Sequence, residues 1–419
     1  MYMFITERIF KMLKKISAIF TAFIMTAALL CGCSSSESSS SDTSSSEASS
    51  SDVSSSDDAS STSSVADASL TIDGEEMDTD GLIICTIDGH DVDFDTFRYY
   101  YYYTIEQYSS TYGVELEDIA ETDEGFDNLL ENVITAIKQE YVTYRLCEEN
   151  SISLTDDEIE ENEETYDYGV ETAGSEEAFE ETLNDAYLTP ELYKTMLELA
   201  SLYTKCEEEL FTNDGIYATS QDEFREIVQD TDEYACVRSI LIPYFCKVDI
   251  TDSDVLAEYD SYTTAQKYSA KSDVYDELEE DEQEAAKEDA LEVAESVIKQ
   301  LEDGEDFETL LDEYNWDSGM ESYTEGYYLT PESSYDEDYL EAAFSIGVGE
   351  TTGIVESETY GYFIIMRNEV DMDYVEENIE DMIQSYDLPA RQQLYIDIME
   401  DMDVTYSDIY DSITADSIT

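Results

Sequence analysis

Histidine and cysteine, two residue types common in catalytic and metal sites, are scarce in this chain. Their number and spacing exclude several enzyme classes. His90 is the only histidine among 419 residues. A single imidazole excludes Ser-His-Asp and Cys-His arrangements and any metal site built from several histidines. Because His90 stands between Asp88 and Asp91, we predict that it is a turn residue and not a catalyst.

The cysteines are also too widely spaced for the common cysteine sites. No C-x-x-C pair occurs, which excludes zinc-ribbon and thioredoxin-like chemistry. We predict that the cysteines beyond the N-terminal region are small buried apolar residues. Their odd number leaves at least one free thiol unless two chains pair. They are Cys85, Cys147, Cys206, Cys236 and Cys246.

One acidic segment begins like a calcium-binding loop. In Glu76-Met77-Asp78-Thr79-Asp80-Gly81, acidic residues alternate before a glycine. An EF-hand loop needs a glutamate six residues after that glycine, and Ile87 stands there instead. We therefore predict no metal site and no cofactor.

The charge balance limits the partners of the protein. Acidic residues number 105 against 18 lysines and arginines, a formal net charge of −87. Such a charge keeps a protein soluble and argues against binding nucleic acid or an anionic membrane surface. Because 42% of the residues are hydrophobic, the chain can still fold, and its length suits two or three domains.

The N-terminus has the pattern of a signal peptide. Basic residues between positions 8 and 15 precede Ile16–Leu30, a largely apolar run that is short for a bilayer span. The run ends in Leu30-Cys31-Gly32-Cys33, which looks like a bacterial lipobox with Cys33 as the lipidated residue. A cleaved secretory signal or a plain membrane anchor is the alternative, and translation starting at Met12 fits equally well.

The pattern of the remaining chain predicts a tether, a helical region, an α+β region and C-terminal helices. Residues 33–80 begin as a Ser/Asp-rich stretch without apolar periodicity, and we predict a disordered tether. Residues 81–232 carry helical periodicity and the helix-start signals at Thr155, Thr189-Pro190 and Ser220. Residues 370–419 are predicted to hold two helices, over 374–385 and 389–401.

Residues 233–369 alternate between strand and helix signals. Cys236–Phe245 reads as a buried strand, and Phe307–Tyr314 as an amphipathic helix after the break at Gly304. The segment 341–366 reads as a short helix, 341–344, followed by strands over 353–357 and 361–367. This order predicts a compact α+β domain.

The segments GEDFETLLDEY (304–314) and EAAFSIGVGETTGIVESETYGYFIIM (341–366) closely resemble parvulin-type peptidyl-prolyl isomerase domains. The whole layout resembles the PrsA/SurA group of extracytoplasmic foldases. The resemblance implies an α+β fold class in which a helical chaperone-like domain is interrupted by an inserted parvulin-like domain. The C-terminal helices would then return to complete the helical domain.

The resemblance also implies where a prolyl site would lie. The two histidine positions of parvulins fall on Ser239 and Phe363, and their Cys/Asp position falls on Asp317. The proline pocket falls on Tyr335 and Tyr339. Phe344 is expected to lie beneath them. Because both histidines are replaced, turnover is expected to be weak or absent, while binding of a proline or aromatic peptide survives.

We therefore predict a foldase anchored outside the cell membrane by lipidated Cys33, which assists the folding of exported proteins. Its expected partners are unfolded or exported polypeptides with X-Pro segments, while the membrane is contacted through the lipid alone. Whether it is an isomerase is left open. The aromatic run Tyr99–Tyr103 is predicted either to pack in the core or to form an aromatic surface that binds unfolded polypeptide segments. The alternative function is a cell-surface structural or adhesion lipoprotein.

Overall fold

The chain divides into two compact units that are described separately. The computed structural model describes residues 68–212 and 215–419, so the predicted signal peptide, Cys33 and most of the predicted tether lie outside the described residues. The first unit, here called the helical unit, contains the described residues up to Phe211 together with Ala390–Thr419. The second, the sheet unit, is Thr212–Pro389.

The α-helices of the described chain are listed in order. They are α1 Phe94–Tyr112, α2 Leu116–Ile119, α3 Asp123–Asn150, α4 Asp156–Ala173, α5 Glu176–Asn184, α6 Pro190–Leu210, α7 Gln221–Ile227, α8 Ser253–Glu258, α9 Thr264–Asp276, α10 Glu280–Glu302, α11 Phe307–Tyr314, α12 Gly319–Ser322, α13 Glu337–Ser345, α14 Met372–Glu377 and α15 Ile379–Asp401.

The strands form three separate sheets. In chain order they are β1 Thr71–Ile72, β2 Glu75–Glu76, β3 Ile83–Ile87, β4 His90–Asp93, β5 Ala235–Ile242, β6 Tyr327–Leu329, β7 Val355–Ser357, β8 Gly361–Asn368 and β9 Val404–Tyr406. The sheet orders are β1-β2, β4-β3-β9 and β6-β5-β8-β7, and every pairing is antiparallel.

The helical unit is built around α3, which packs against both α1 and α6. Its core contains Phe97, Ile137 and Leu146, all nearly inaccessible to solvent. The C-terminal strand β9 pairs with β3, and Ile418 joins the same core. Residues from both ends of the described chain therefore share one apolar core, as the predicted fold class requires.

The helix starts follow the predicted caps with one exception. Thr155 forms the full capping box with Glu158, and Thr189 accepts a hydrogen bond from the backbone N–H of Leu192 at 3.2 Å. Ser220 accepts from the backbone N–H of Glu223, but the reciprocal bond of a capping box is absent there. The helix start predicted at Ser220 is therefore confirmed, with one cap bond in place of the two of a capping box.

The predicted tether ends earlier than residue 80. Leu70 is fully buried and bridges to Ile418, and β1 and β2 form a small hairpin directly after it. An apolar side chain that reaches a core holds its neighbours in place, because leaving it in water costs free energy. The folded chain therefore includes residues that the Ser/Asp-rich composition had assigned to the tether.

The sheet unit depends on β5, whose eight residues are all buried. Alternate residues of β5 face two different apolar clusters, since successive side chains of a strand point to opposite faces. Ile240 and Ile242 pack with Ala290, Ala294 and Val297 of α10. On the other face, Val237 and Leu241 pack with Tyr339 and Ala343 of α13 and with Phe363 and Ile365 of β8.

Three predicted boundaries in this unit were wrong. The strand predicted to reach Phe245 ends at Ile242, because Pro243 has no N–H to donate to a ladder. The helix predicted at 341–344 begins at Glu337, where Asp336 caps it. The break predicted before Pro389 lies at Asn378 instead. Pro389 stands inside α15, and apolar residues on both sides of the proline are buried.

The observed elements confirm the predicted fold class, a helical domain with an α+β domain between its two chain segments. Among the described residues, no helix is both long and apolar enough to cross a membrane.

The turn between β7 and β8 gives a stability prediction. Gly361 has φ +121°, and a Cβ there would lie 2.5 Å from the carbonyl oxygen of Ile242. We expect Gly361→Ala to lower the free energy of unfolding of the sheet unit by about 2–3 kcal/mol. Urea unfolding followed by the fluorescence of Trp316, the only tryptophan, measures it. Gly353→Ala, with open space around its Cβ, is the control, and equal effects of the two would contradict the prediction.

Candidate functional site: aromatic rings beside Asp317

A short loop after α11 is fastened to the end of β5. The backbone N–H of Trp316 donates to the carbonyl of Leu241 at 3.0 Å, and the N–H of Leu241 donates to Asn315 Oδ1 at 3.0 Å. Asn315 Nδ2 also donates to the carbonyl of Asp317 at 2.8 Å. These bonds fix the position of the Asp317 carboxylate relative to the sheet.

Both oxygens of Asp317 already have partners within the domain. Its Oδ1 accepts from the backbone N–H of Gly319 at 2.8 Å, as in an Asx turn, and its Oδ2 accepts from the hydroxyl of Tyr327 at 2.8 Å. Burial and the Asp317 charge together raise the pKa of Tyr327, so this phenol stays protonated and donates. The carboxylate therefore orients Tyr327.

Tyr327 belongs to a continuous series of six rings, here called the aromatic chain. Its members in order of contact are Tyr323, Tyr327, Tyr335, Tyr339, Phe363 and Tyr360. The successive centroid distances are 5.7, 5.5, 5.9, 4.9 and 6.3 Å. These separations are typical of favourable aromatic pairs.

The aromatic chain has a buried centre and exposed members. Tyr323, Tyr335 and Tyr360 are 58%, 45% and 44% exposed, while Tyr339 and Phe363 are 2% and 7% exposed. Partial burial, followed by the nearby charge of Asp317, raises the pKa of Tyr335 to about 12. Its ring is therefore neutral at ordinary pH and presents both an apolar face and a hydroxyl group.

Tyr339 contacts both Ser239 and Phe363, the residues at the two histidine positions that the parvulin resemblance implies. Its hydroxyl donates to Ser239 Oγ at 3.1 Å, and its ring meets Phe363 edge to face at 4.9 Å. Ser239 is fully buried, so this hydrogen bond satisfies a hydroxyl that has no access to water. On this face of the sheet, Tyr339 and Ser239 therefore form a hydrogen-bonded pair next to the ring of Phe363.

Five of the six predicted site residues thus lie in one network of contacts, namely Ser239, Asp317, Tyr335, Tyr339 and Phe363. Phe344 packs against the same apolar cluster, and the Arg367 guanidinium lies 5.4 Å from its ring centre. His90 is in the helical unit, where it stacks on Tyr144 at 4.8 Å.

Three rings of the aromatic chain and one residue of the Asp317 loop were missed from the sequence. Tyr323 and Tyr327 lie between Asp317 and the predicted pocket, and Tyr360 precedes β8. The sequence does show several tyrosines within residues 323–339. Because tyrosine is frequent throughout this chain, their spacing alone does not mark them as site residues. Asn315 was missed because its side chain forms hydrogen bonds with backbone groups, and these partners cannot be read from the sequence.

The comparisons with known proteins identify the domain that carries this network. Residues 261–370 match the family model described as the PPIC-type PPIASE domain. The chain contains a PPIC-type domain. The match confirms the parvulin-type resemblance of the sheet unit, and the structure adds β5, which precedes the matched residues but pairs with β6 and β8.

Solved structures give weaker likenesses. PrsA from Bacillus subtilis is 20% identical, with a TM-score of 0.24, covering 70% of this chain and 97% of its own. The peptidylprolyl isomerase PrsA from Bacillus cereus is 15% identical, with a TM-score of 0.31, covering 77% and 90%. A SurA-like chaperone structure from Campylobacter jejuni is 13% identical, with a TM-score of 0.15, covering 78% and 100%. No curated protein matches the chain in sequence.

The bond between Tyr327 and Asp317 gives a second prediction. Tyr327→Phe removes the hydroxyl donor while keeping the ring, and we expect the sheet unit to lose about 1 kcal/mol of stability. Urea unfolding monitored at Trp316 measures the change. Tyr323→Phe, on the exposed neighbouring ring, is the matched control, and a loss of equal size there would contradict the role assigned to Tyr327.

Proposed function

We propose that this protein is a foldase that acts outside the cytoplasm and holds proline-containing segments of unfolded, exported polypeptides. The observation that carries the proposal is the aromatic chain, which runs from exposed Tyr335 to the buried pair Tyr339 and Phe363 inside a PPIC-type domain. Proline and aromatic side chains pack well against such rings, and tyrosine hydroxyls supply donors for peptide carbonyls.

Binding of this kind bears directly on prolyl isomerisation. The barrier to rotation about a peptide bond, about 18–20 kcal/mol, comes from amide resonance. A site lowers it by gripping the proline, removing water from the imide and favouring the twisted bond over the planar one. No nucleophile or metal is required, so a site without histidines remains compatible with prolyl binding.

The residues present favour binding over turnover. Ser239 Oγ is occupied by the hydroxyl of Tyr339, and Phe363 fills the facing position with a ring that cannot donate or accept a proton. Both Asp317 oxygens are engaged by Gly319 and Tyr327. We therefore propose that the domain is a prolyl-peptide holder whose isomerase rate is small.

An exchange experiment on an X-Pro peptide tests this proposal. In NMR spectra, the protein is expected to shift and broaden the peptide resonances while the cis–trans exchange rate stays near that of the free peptide. Tyr335→Ala should weaken binding about tenfold, because truncating an aromatic anchor typically costs more than 1 kcal/mol. Tyr168→Ala, 51% exposed on α4, is the matched control and should leave binding unchanged.

Two results would overturn parts of the proposal. Absence of peptide binding would remove the prolyl role altogether. Strong acceleration that is lost in Asp317→Ala, with native Trp316 fluorescence, would make the domain an active isomerase with Asp317 in it. The fluorescence check is needed because Asp317 also holds its own loop through Gly319.

The leader sequence supports a membrane anchor. We propose that Cys33 is lipidated and becomes the first residue of the cleaved protein. Its two acyl chains would hold the protein at the outer face of the bacterial cell membrane, as a single chain would not do stably. Cys33→Ala should move the protein from the membrane fraction to the soluble fraction, as judged by immunoblot. Retention of the variant in membranes would contradict lipidation and favour an uncleaved anchor.

The alternative is a cell-surface structural or adhesion lipoprotein, which would recognise folded partners. A refolding client separates the two functions, because a foldase should reduce the client's aggregation and should ignore the same client once it is native. Protection no better than that of an equally acidic unrelated protein would favour the alternative.

A further inference from the structure

Two cysteines of the helical unit lie in direct contact. Cys147 is near the end of α3 and Cys206 near the end of α6, and their sulfur atoms are 2.8 Å apart across a sequence separation of 59 residues. Both side chains are buried, with 4% and 2% exposure. The sequence had suggested only isolated apolar cysteines, because no short spacing links these two.

The other described cysteines have different surroundings. Burial raises the pKa of the Cys85 thiol to about 12 and that of Cys236 to about 11. Cys236 Sγ donates to the carbonyl of Glu325 at 3.2 Å. These residues behave as inert core thiols.

We propose that Cys147 and Cys206 form a disulfide bond that links α3 to α6. A disulfide bond is about 2.05 Å long, so the sulfur atoms need to approach by roughly 0.8 Å and lose their two hydrogens. The two helices already pack against each other. Both cysteines belong to the helical unit, whereas the proposed prolyl site lies in the sheet unit, so the two proposals are independent.

The reaction is thiol–disulfide exchange with a disulfide donor of low molecular mass. The Cys147 thiolate attacks one sulfur of the donor, forming a mixed disulfide and releasing one donor thiol. Cys206, after losing its proton, attacks the Cys147 sulfur and releases the second donor thiol. The protein dithiol is oxidised by two electrons and the donor disulfide is reduced by two.

Local interactions favour Cys147 as the attacking group. The hydrogen bond shared with Cys206 lowers the pKa of Cys147, and the charge of Lys205 acts in the same direction, while burial and nearby carboxylates oppose both. The same hydrogen bond, followed by burial, raises the pKa of Cys206.

Burial determines when the bond forms. A donor cannot reach either sulfur in the closed unit, so oxidation takes place during folding or during transient opening of the unit. Once formed, the bond closes a loop that contains α4 and α5. Restricting the unfolded chain in this way is the main route by which a disulfide stabilises a fold. It also agrees with an oxidising location outside the cytoplasm.

Disulfide mapping tests the proposal on the full chain. The protein is refolded with glutathione disulfide, free thiols are alkylated, and the non-reduced digest is examined by mass spectrometry. We expect one linked peptide pair, Cys147 with Cys206, which is lost in Cys147→Ser and retained in the control Cys246→Ser. Alkylation of both residues in the refolded protein, or linkage spread evenly over the other cysteines, would overturn the proposal.

Thermal unfolding provides a second readout. The oxidised helical unit should unfold about 5–10 °C above the reduced one, and reductant should have no effect on Cys147→Ala/Cys206→Ala. Equal midpoints for the oxidised and reduced protein would overturn the stabilising role. Should the double variant fail to fold, the linkage map of the unaltered chain still decides.

Discussion

The sheet unit depends on one constraint, the complete burial of β5. A strand buried along its whole length needs backbone partners on both edges and apolar cover on both faces. Here β6 and β8 supply the partners, while α10 and α13 supply the cover through two separate clusters. The end of the same strand holds the loop that carries Asp317. Site geometry and fold stability are therefore set by one element.

The candidate site combines a parvulin-like domain with side chains other than histidine at the two histidine positions of that family. Ser239 and Phe363 stand at the two histidine positions of the parvulin family, and Tyr339 donates a hydrogen bond to Ser239 and packs on Phe363. The replacement is self-consistent, because no buried hydroxyl of this pair is left without a partner. This arrangement is the basis of our proposal that the site holds a ring or a proline and does not move a proton.

Although the chain is extremely acidic, positive and negative side chains are distributed differently between the interior and the surface. In the described residues, the buried charged side chains are all arginines, Arg98, Arg238 and Arg367. Each donates to main-chain oxygens, such as those of Thr419, Thr324 and Tyr234 respectively. These three cations satisfy backbone acceptors inside the units, while the carboxylates largely remain in contact with water.

The sequence by itself determined the local structure and the excluded chemistry. Apolar periodicity predicted β5, α11 and the long helices, and the caps at Thr155 and Thr189 followed from side chains that bond within three residues. The single histidine, His90, spoke against Ser-His-Asp and Cys-His arrangements and against metal sites built from several histidines before any fold was known. The tertiary structure alone decided which distant residues meet. The order of rings in the aromatic chain and the contact of Cys147 with Cys206 depend on how strands and helices pack. Neither the ring order nor the cysteine contact can be predicted from residue spacing, because contacts between different helices and strands have no fixed period along the chain.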